Sequence, residues 1–147
     1  MSDKQKPVFT ILLAEDDPAD AMLAKRALKT WEKPAQVFHV TDGLEALRFL
    51  RREAPDYQDA PRPNLVLLDL NMPRLGGREA LQVIKADDDL KGIPIVVLTT
   101  SDFEQDVNGS YALGANSYIT KPLDLDQFIK VIHTLETYWF DVVTLPR

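Results

Sequence analysis

The chain has 147 residues, a formal net charge of −6 and no cysteine, with 45% hydrophobic and 27% charged residues. This length and composition indicate one globular domain over residues 1–147. The acidic balance argues against a nucleic-acid partner, and the lack of cysteine excludes thiolate chemistry and Cys-based metal sites. Met1–Lys6 is polar and no apolar run reaches membrane-spanning length, so we expect a cytoplasmic protein with no membrane partner.

The first predicted elements are a buried strand and a helix. Val8–Ala14 is an apolar run that ends in the acidic pair Glu15-Asp16. Asp17 is a favoured helix-capping residue and Pro18 is favoured at a first helical position, so a helix is predicted to begin here. Apolar residues recur at helical spacing and predict its buried face, which consists of Ala21, Ala24, Leu28 and Trp31.

A shorter strand, a second helix and a loop follow. Gln36–Val40 alternates as a strand does, and Asp42-Gly43 is interpreted as a turn. The spacing of Leu44, Leu47 and Leu50 predicts the helix. Arg52–Pro63 is polar and proline-rich with no apolar period, which predicts a long surface loop.

The most informative stretch is a predicted strand with a carboxylate at its end. Leu65–Leu68 is apolar without a break and delivers Asp69, and Pro63 and Pro73 bound the stretch. Such a run is typical of a strand buried on both faces of a parallel sheet. Ligands of open α/β sheets bind at the carboxyl ends of strands, so Asp69 is a candidate functional residue.

The second half repeats the alternation of helices and strands. Gly76-Gly77 is interpreted as a flexible segment before a third helix, and Asp87–Asp89 as a solvated helix end or loop. Pro94–Leu98 is a second continuous apolar strand and delivers Thr99. A capping pattern at Asp102 predicts a fourth helix that ends at Gly114.

The last strand is predicted at the edge of the sheet. Asn116–Thr120 is more polar than the other strands and ends at Lys121-Pro122. A final helix is predicted from the apolar face that consists of Leu125, Phe128, Ile129, Ile132 and Leu135. Five strands that alternate with helices predict an α/β fold with a doubly wound, five-stranded parallel sheet.

Polar side chains are expected to meet at one rim of this sheet, because the carboxyl ends of parallel strands lie along the same edge. Clustered carboxylates repel one another unless a cation compensates, and a hard divalent ion such as Mg²⁺ suits oxygen ligands. A lysine and a hydroxyl suit the oxygens of an incoming phosphoryl group, so the set indicates phosphoryl transfer to an aspartate. The residues are Glu15, Asp16, Asp69, Asn71, Thr99 and Lys121.

From about residue 8 to residue 136, the chain resembles the receiver domain of two-component response regulators. The matching residues are Glu15-Asp16, Asp69 in the motif Leu-Asp-Leu-Asn-Met-Pro, Thr99, Tyr118 and Lys121-Pro122. The resemblance implies the flavodoxin-like, CheY-like version of this fold. It also implies a signalling protein, rather than a turnover enzyme, whose Asp69 is phosphorylated by a partner sensor histidine kinase.

The resemblance further implies a role for each site residue. Asp16, Asp69 and the main-chain carbonyl of Asn71 are expected to bind Mg²⁺, with Glu15 acting through water. Thr99 and Lys121 are expected to contact the phosphoryl group, and Tyr118 to move with Thr99 as a switch. The Lys121-Pro122 bond is typically cis in the family.

Two features resemble the small response regulators that serve bacterial phytochromes: the long loop at 52–63 and a C-terminal segment at 137–147. The segment is rich in large apolar residues, which mark interaction surfaces when exposed. These residues are Tyr138, Trp139, Phe140, Val142, Val143 and Leu145. We therefore expect a homodimer in which this arm packs against a second copy; packing against its own chain is the alternative.

The alternative function is an aspartyl-phosphate phosphohydrolase acting on small phosphate esters. Such an enzyme generally needs a second carboxylate two residues after the nucleophile as a general acid. That position is Asn71, which cannot exchange a proton in this role. No insertion is long enough to form a substrate cap.

His39 and His133 have no second ligand at metal spacing and are interpreted as structural.

Overall fold

The computed structural model describes residues 9–30, 35–70, 72–99, 117–120 and 125–136. For Thr99 and for residues 117–120, 131, 132 and 134–136 only the backbone is described. The strands are β1 (Phe9–Ala14), β2 (Ala35–Val40), β3 (Leu65–Asp69), β4 (Ile95–Thr99) and β5 (Ser117–Thr120). The described helices are α1 (Pro18–Leu28), α2 (Gly43–Leu50), α3 (Gly77–Ala86) and α4 (Leu125–Glu136).

The five strands form one parallel sheet in the order β2-β1-β3-β4-β5. β3, with its uninterrupted apolar run, lies at the centre, and every residue in it is buried. β5 lies at the edge, as its more polar sequence predicts. The predicted doubly wound α/β fold is confirmed.

Consecutive residues of each inner strand point to opposite sides of the sheet. Because these residues are apolar on both sides, helices cover both faces of the sheet. One core contains Leu12, Val66, Leu68, Val97, Leu47, Leu50, Leu81 and Ile84, which brings α2 and α3 onto one face. The other core contains Ile11, Leu13, Leu65, Leu67, Val96, Ala21, Ala24, Leu28 and Phe128, which brings α1 and α4 onto the opposite face.

Helix starts follow the expected chemistry. The side chain of Asp17 accepts hydrogen bonds from the amides of Ala19 at 2.9 Å and Asp20 at 3.4 Å, and Pro18 opens α1. Asp42 is more than a turn residue: its Oδ1 accepts from the amide of Glu45 at 2.8 Å and caps α2. The interpretation of Asp42-Gly43 as a simple turn was therefore incomplete.

The segment 52–63 contains no helix or strand and is mostly exposed, as predicted, but Tyr57 is anchored inside it. The Tyr57 hydroxyl donates to Glu45 Oε1 at 2.8 Å, and its ring lies edge-on to Phe49 with centroids 5.5 Å apart. A single aromatic residue in a polar stretch has no period by which sequence analysis could assign it to the core.

Several predictions concern parts of the chain that lie outside the described residues. These are Val8, Trp31, Asn71, Asn116, the helix predicted at 102–114, the side chains of Thr99, Tyr118, Ile132 and Leu135, Lys121-Pro122 and the arm at 137–147. Within the residues that the structure describes, no helix has the length and apolar character needed to cross a membrane.

Candidate functional site

Three carboxylates converge at the carboxyl rim of the sheet. Glu15, Asp16 and Asp69 each offer an oxygen, and these three atoms lie within 4.8 Å of one another. Glu15 and Asp69 are buried, whereas Asp16 is exposed. The rim therefore has two carboxylates withdrawn from water and one at its mouth.

Strand register brings these side chains together. β1 and β3 are neighbours, and Ala14 is level with Leu68. The residue after each of that pair, Glu15 on one chain segment and Asp69 on the other, thus comes to the same height. Charges from segments more than fifty positions apart meet because two apolar strands pair in this register.

The backbone around Glu15 is fixed by its neighbours. Its amide donates to the carbonyl of Val40 at 3.0 Å. His39 Nε2 lies 2.8 Å from the Glu15 carbonyl oxygen and donates to it, because a carbonyl oxygen only accepts. Glu15 Oε2 accepts from the amide of Asp17 at 3.1 Å. His39 thus has the structural role expected of it, because it holds the backbone of Glu15, the residue directly before the exposed Asp16.

The chain after Asp69 makes a closed loop. The amide of Leu70 donates to the carbonyl of Leu98 at 3.0 Å, and the amide of Gly77 donates back to the carbonyl of Leu70 at 3.1 Å. A Cβ at Gly77 would overlap the Asp69 carbonyl oxygen and lie 2.7 Å from Leu70 Cα. The interpretation of Gly76-Gly77 as a flexible segment was wrong for Gly77, which begins α3 at a close approach to β3.

The other predicted site residues follow the next strands along the same edge. Asp69 pairs in register with Leu98, and Thr99 pairs with Thr120, the residue before Lys121. The backbone of Thr99 is thus one position beyond the level of Asp69 on the adjacent strand. The Thr99 side chain, Asn71 and Lys121 lie outside the described part, so their roles stay predictions.

The described donor set fits a hard divalent cation. Three carboxylate oxygens within 4.8 Å of one another match the ligands that Mg²⁺ prefers, and a bound cation would offset their mutual repulsion. Within the described ranges, no second group of three or more such side chains has this arrangement. His133 is elsewhere, with its Nε2 2.8 Å from the Thr30 hydroxyl, as expected of a structural residue.

Comparison with known proteins gives a consistent picture. The family model described as response regulator receiver domain matches residues 11–133. The response regulator Rcp1 of Synechocystis sp. is 47% identical over 146 residues, which covers 99% of this chain and 99% of Rcp1.

Solved structures agree with the sequence match. The phosphorylated cyanobacterial phytochrome response regulator RcpA superposes with a TM-score of 0.88 at 45% identity, covering 96% of this chain and 100% of RcpA. The Mn²⁺-bound form of Rcp1 gives a TM-score of 0.84 at 46% identity, covering 94% of this chain and 99% of that structure.

Proposed function

This chain belongs to the response regulator receiver family, and from that membership we propose that Asp69 is the residue that accepts the phosphoryl group. The observation that carries this assignment is the position of Asp69: it is the last residue of the central strand, buried, and grouped with Glu15 and Asp16. Receiver domains of this family accept phosphate from sensor histidine kinases.

In the proposed step, a carboxylate oxygen of Asp69 attacks the phosphorus of a phosphohistidine on the kinase. The new O–P bond forms as the N–P bond breaks; the histidine nitrogen keeps the electron pair of the broken bond and is protonated from solvent. Phosphoryl transfer depends chiefly on position and charge neutralisation, with little further covalent chemistry for the protein. Thr99 and Lys121 would bind the remaining phosphoryl oxygens.

Mg²⁺ is the cation proposed for the acidic rim, held by Asp16, Asp69 and the main-chain carbonyl of Asn71, with Glu15 acting through water. When bound, it supplies positive charge that offsets repulsion between the carboxylates and the phosphoryl oxygens. Glu15 is fully buried and one of its carboxylate oxygens already accepts from the Asp17 amide, so that oxygen is less available than Asp16 for direct binding of the cation. The exposed Asp16 suits a direct ligand at the mouth of the site. Rcp1 has been solved in a Mn²⁺-bound form, which supports the binding of a divalent cation by a relative of this chain.

The proposed kinase partner is a phytochrome-type sensor. RcpA is a cyanobacterial phytochrome response regulator, and a bacteriophytochrome response regulator, AtBRR, is 39% identical with a TM-score of 0.76. We also propose a cytoplasmic location. A histidine kinase takes its phosphoryl group from ATP, so its partner must be in the compartment that contains ATP.

We further propose a receiver core at residues 8–136 and a C-terminal arm at 137–147 that forms a homodimer. The Rcp1 alignment covers 99% of this chain and so includes this arm. Phosphorylation would be read out through the surface around Thr99 and Tyr118 and through the dimer. The only reactions proposed are transfer of a phosphoryl group to Asp69 and its later loss by hydrolysis, since Asn71 cannot serve as the general acid of a phosphohydrolase.

Asp69→Asn tests the assignment. The amide is close in shape to the carboxylate and removes one like charge from the rim, so the variant should fold. It should take up no phosphoryl group from acetyl phosphate and Mg²⁺, as measured by intact-protein mass spectrometry, whereas wild type should be labelled. Asp88→Asn, which changes charge equally at an exposed position beyond α3, is the matched control and should be labelled as wild type. Labelling of Asp69→Asn at the wild-type level would refute the proposal.

A further inference from the structure

We propose that the ion pair between Asp42 and Arg74 is a positioning device for the phosphoacceptor site: it holds the loop that follows Asp69 in the conformation that binds the metal. This inference rests on the proposed function for its consequence, namely metal affinity. The structural part, that the pair immobilises the loop, is independent of it.

Each carboxylate oxygen of Asp42 has a separate task. Oδ1 caps α2 through the amide of Glu45 at 2.8 Å, whereas Oδ2 accepts from Arg74 Nε at 2.8 Å and Nη2 at 2.6 Å. The Asp42 side chain is only 5% exposed, so its charge is compensated within the protein. Because a buried carboxylate without its partners is costly, the guanidinium is held firmly although Arg74 itself is half exposed.

The contact constrains the backbone conformation of the loop. Arg74 has a φ of 63°, in the left-handed region that residues other than glycine seldom adopt. Such a conformation persists only where the surroundings enforce it. Next to it, the amide of Gly43 donates to the carbonyl of Leu75 at 2.9 Å, and a Cβ at Gly43 would overlap that carbonyl oxygen. The start of α2 and the loop are thus in direct backbone contact.

The same loop is closed at its base beside the acceptor. The bond from the Gly77 amide to the Leu70 carbonyl, 3.1 Å long, joins its two ends. Three independent contacts therefore hold this loop: its base at Leu70, its backbone at Leu75, and its side chain at Arg74. In the sequence, the proposed metal ligand at position 71 lies between Leu70 and Arg74, so the inference predicts that metal affinity depends on these contacts.

The segment that contains Asp42 also contacts the loop at Glu15. Asp42 lies two residues after Val40, whose carbonyl accepts from the Glu15 amide, and three after His39, which donates to the Glu15 carbonyl. The segment 39–43 therefore contacts both the Glu15 loop and the loop after Asp69. The Asp42–Arg74 pair and the bond from the Gly43 amide to the Leu75 carbonyl together make the contact with the loop after Asp69.

Two substitutions test the pair with opposite changes of charge. Asp42→Asn keeps a good helix-capping residue but puts an amide NH₂ or a neutral oxygen against Arg74. Arg74→Gly removes the guanidinium and adopts the left-handed φ without strain. Arg51→Ala, an exposed arginine that follows the other end of α2 and pairs with Asp87 at 3.7 Å, is the control for loss of one positive charge.

Amide hydrogen exchange on the metal-free protein and Mg²⁺ affinity by calorimetry are the two measurements. Both variants should speed exchange in peptides covering residues 70–80. Both should weaken Mg²⁺ binding by about tenfold, the low end of the loss that follows removal of groups that support metal ligands. The double variant should be no worse than Arg74→Gly alone, because that variant already removes the ion pair, together with the 3.5 Å contact between Arg74 and Glu45. Arg51→Ala should match wild type in both measurements.

A simple charge effect predicts a different pattern. Loss of a cation would strengthen Mg²⁺ binding and loss of an anion would weaken it, so affinity changes of opposite sign with unchanged exchange would overturn the inference. Additive effects in the double variant would also overturn it. If wild type itself binds no Mg²⁺, the proposed metal site fails, and faster exchange in the two variants still decides whether the pair holds the loop.

Discussion

Tyr57 illustrates how one side chain connects an irregular loop to the acidic end of the molecule. Its hydroxyl donates to Glu45 Oε1, while Glu45 Oε2 lies 3.2 Å from Arg48 and 3.5 Å from Arg74. Burial, and then the hydrogen bond and charge of Glu45, raise the pKa of Tyr57 from its ordinary 10.0 to about 12. The 52–63 loop is thus joined through Glu45 to the same arginine that pairs with Asp42.

The raised pKa predicts how the stabilising effect of this bond depends on pH. The folded protein keeps the phenol proton more tightly than the unfolded chain, so the contribution is complete below pH 10 and is lost as pH rises from about 10 to about 12. Tyr57→Phe keeps the ring against Phe49 and should cost about 1 kcal/mol or less at neutral pH. Urea unfolding should show this difference narrowing between pH 10 and pH 12. A difference independent of pH over this range would contradict the assignment.

The carboxylates of the acidic rim could be predicted from the sequence, whereas the ion pair between Asp42 and Arg74 that holds the neighbouring loop could not. Asp69, Glu15 and Asp16 were visible because a carboxylate after an apolar run is conspicuous. The role of Asp42 had a signal, since Asp42 and Glu45 have the spacing of a capping box ahead of an apolar period. Arg74 had none, because its importance depends on a left-handed backbone and a partner 32 positions away, and neither leaves a local pattern.

β3 and α3 approach each other closely at the site. Gly77 is the first residue of α3, and the backbone of Asp69 and Leu70 occupies the space where its Cβ would be. By intrinsic helix propensity alone, alanine would be preferred here by up to about 1 kcal/mol. Close approach of the helix to the acceptor strand overrides that preference.

Gly77→Ala should therefore lower the free energy of unfolding by about 1–3 kcal/mol, the usual cost of overpacking. It should also slow phosphoryl uptake, because the backbone that must move belongs to Asp69. Gly92→Ala is the matched control: no atom lies within 4 Å of its added Cβ, so it should cause no loss of stability. Denaturant unfolding and acetyl phosphate labelling measure the two effects. Equal stability of the two variants would show that the junction accommodates a methyl group.

The elements themselves were well predicted from sequence. Continuous apolar runs specified β1, β3 and β4, and the Asp17-Pro18 start specified α1, because burial on both faces and capping are local requirements. Register is a different matter. That Ala14 is level with Leu68 depends on the packing of the whole sheet, and this register is what brings Glu15 beside Asp69.

The two apolar cores that stabilise the protein lie on the faces of the sheet, whereas the proposed phosphorylation site lies at its carboxyl rim. The two faces of the sheet are occupied by α2 and α3 on one side and by α1 and α4 on the other. The carboxyl rim is left to carry the charged residues. The proposed phosphorylation of Asp69 would therefore change the charge at the rim and not within either core, which suits a domain that must stay folded in two phosphorylation states.

The proposed homodimer depends on the arm at 137–147, whose sequence combines three aromatic residues with strand-forming valines. Large aromatics are the residues that most often anchor interfaces, and the Val142-Val143-Thr144 stretch is suited to pairing with an exposed strand edge. If the arm packs against a second copy, the full chain should be a dimer, and a chain truncated after Glu136 should be a monomer that remains folded. If it packs against its own chain, both forms should be monomers and truncation should lower the free energy of unfolding. Sedimentation analysis of both forms, before and after phosphorylation, distinguishes these cases. A full-length chain that stays monomeric at high micromolar concentration in either state would rule out the dimer.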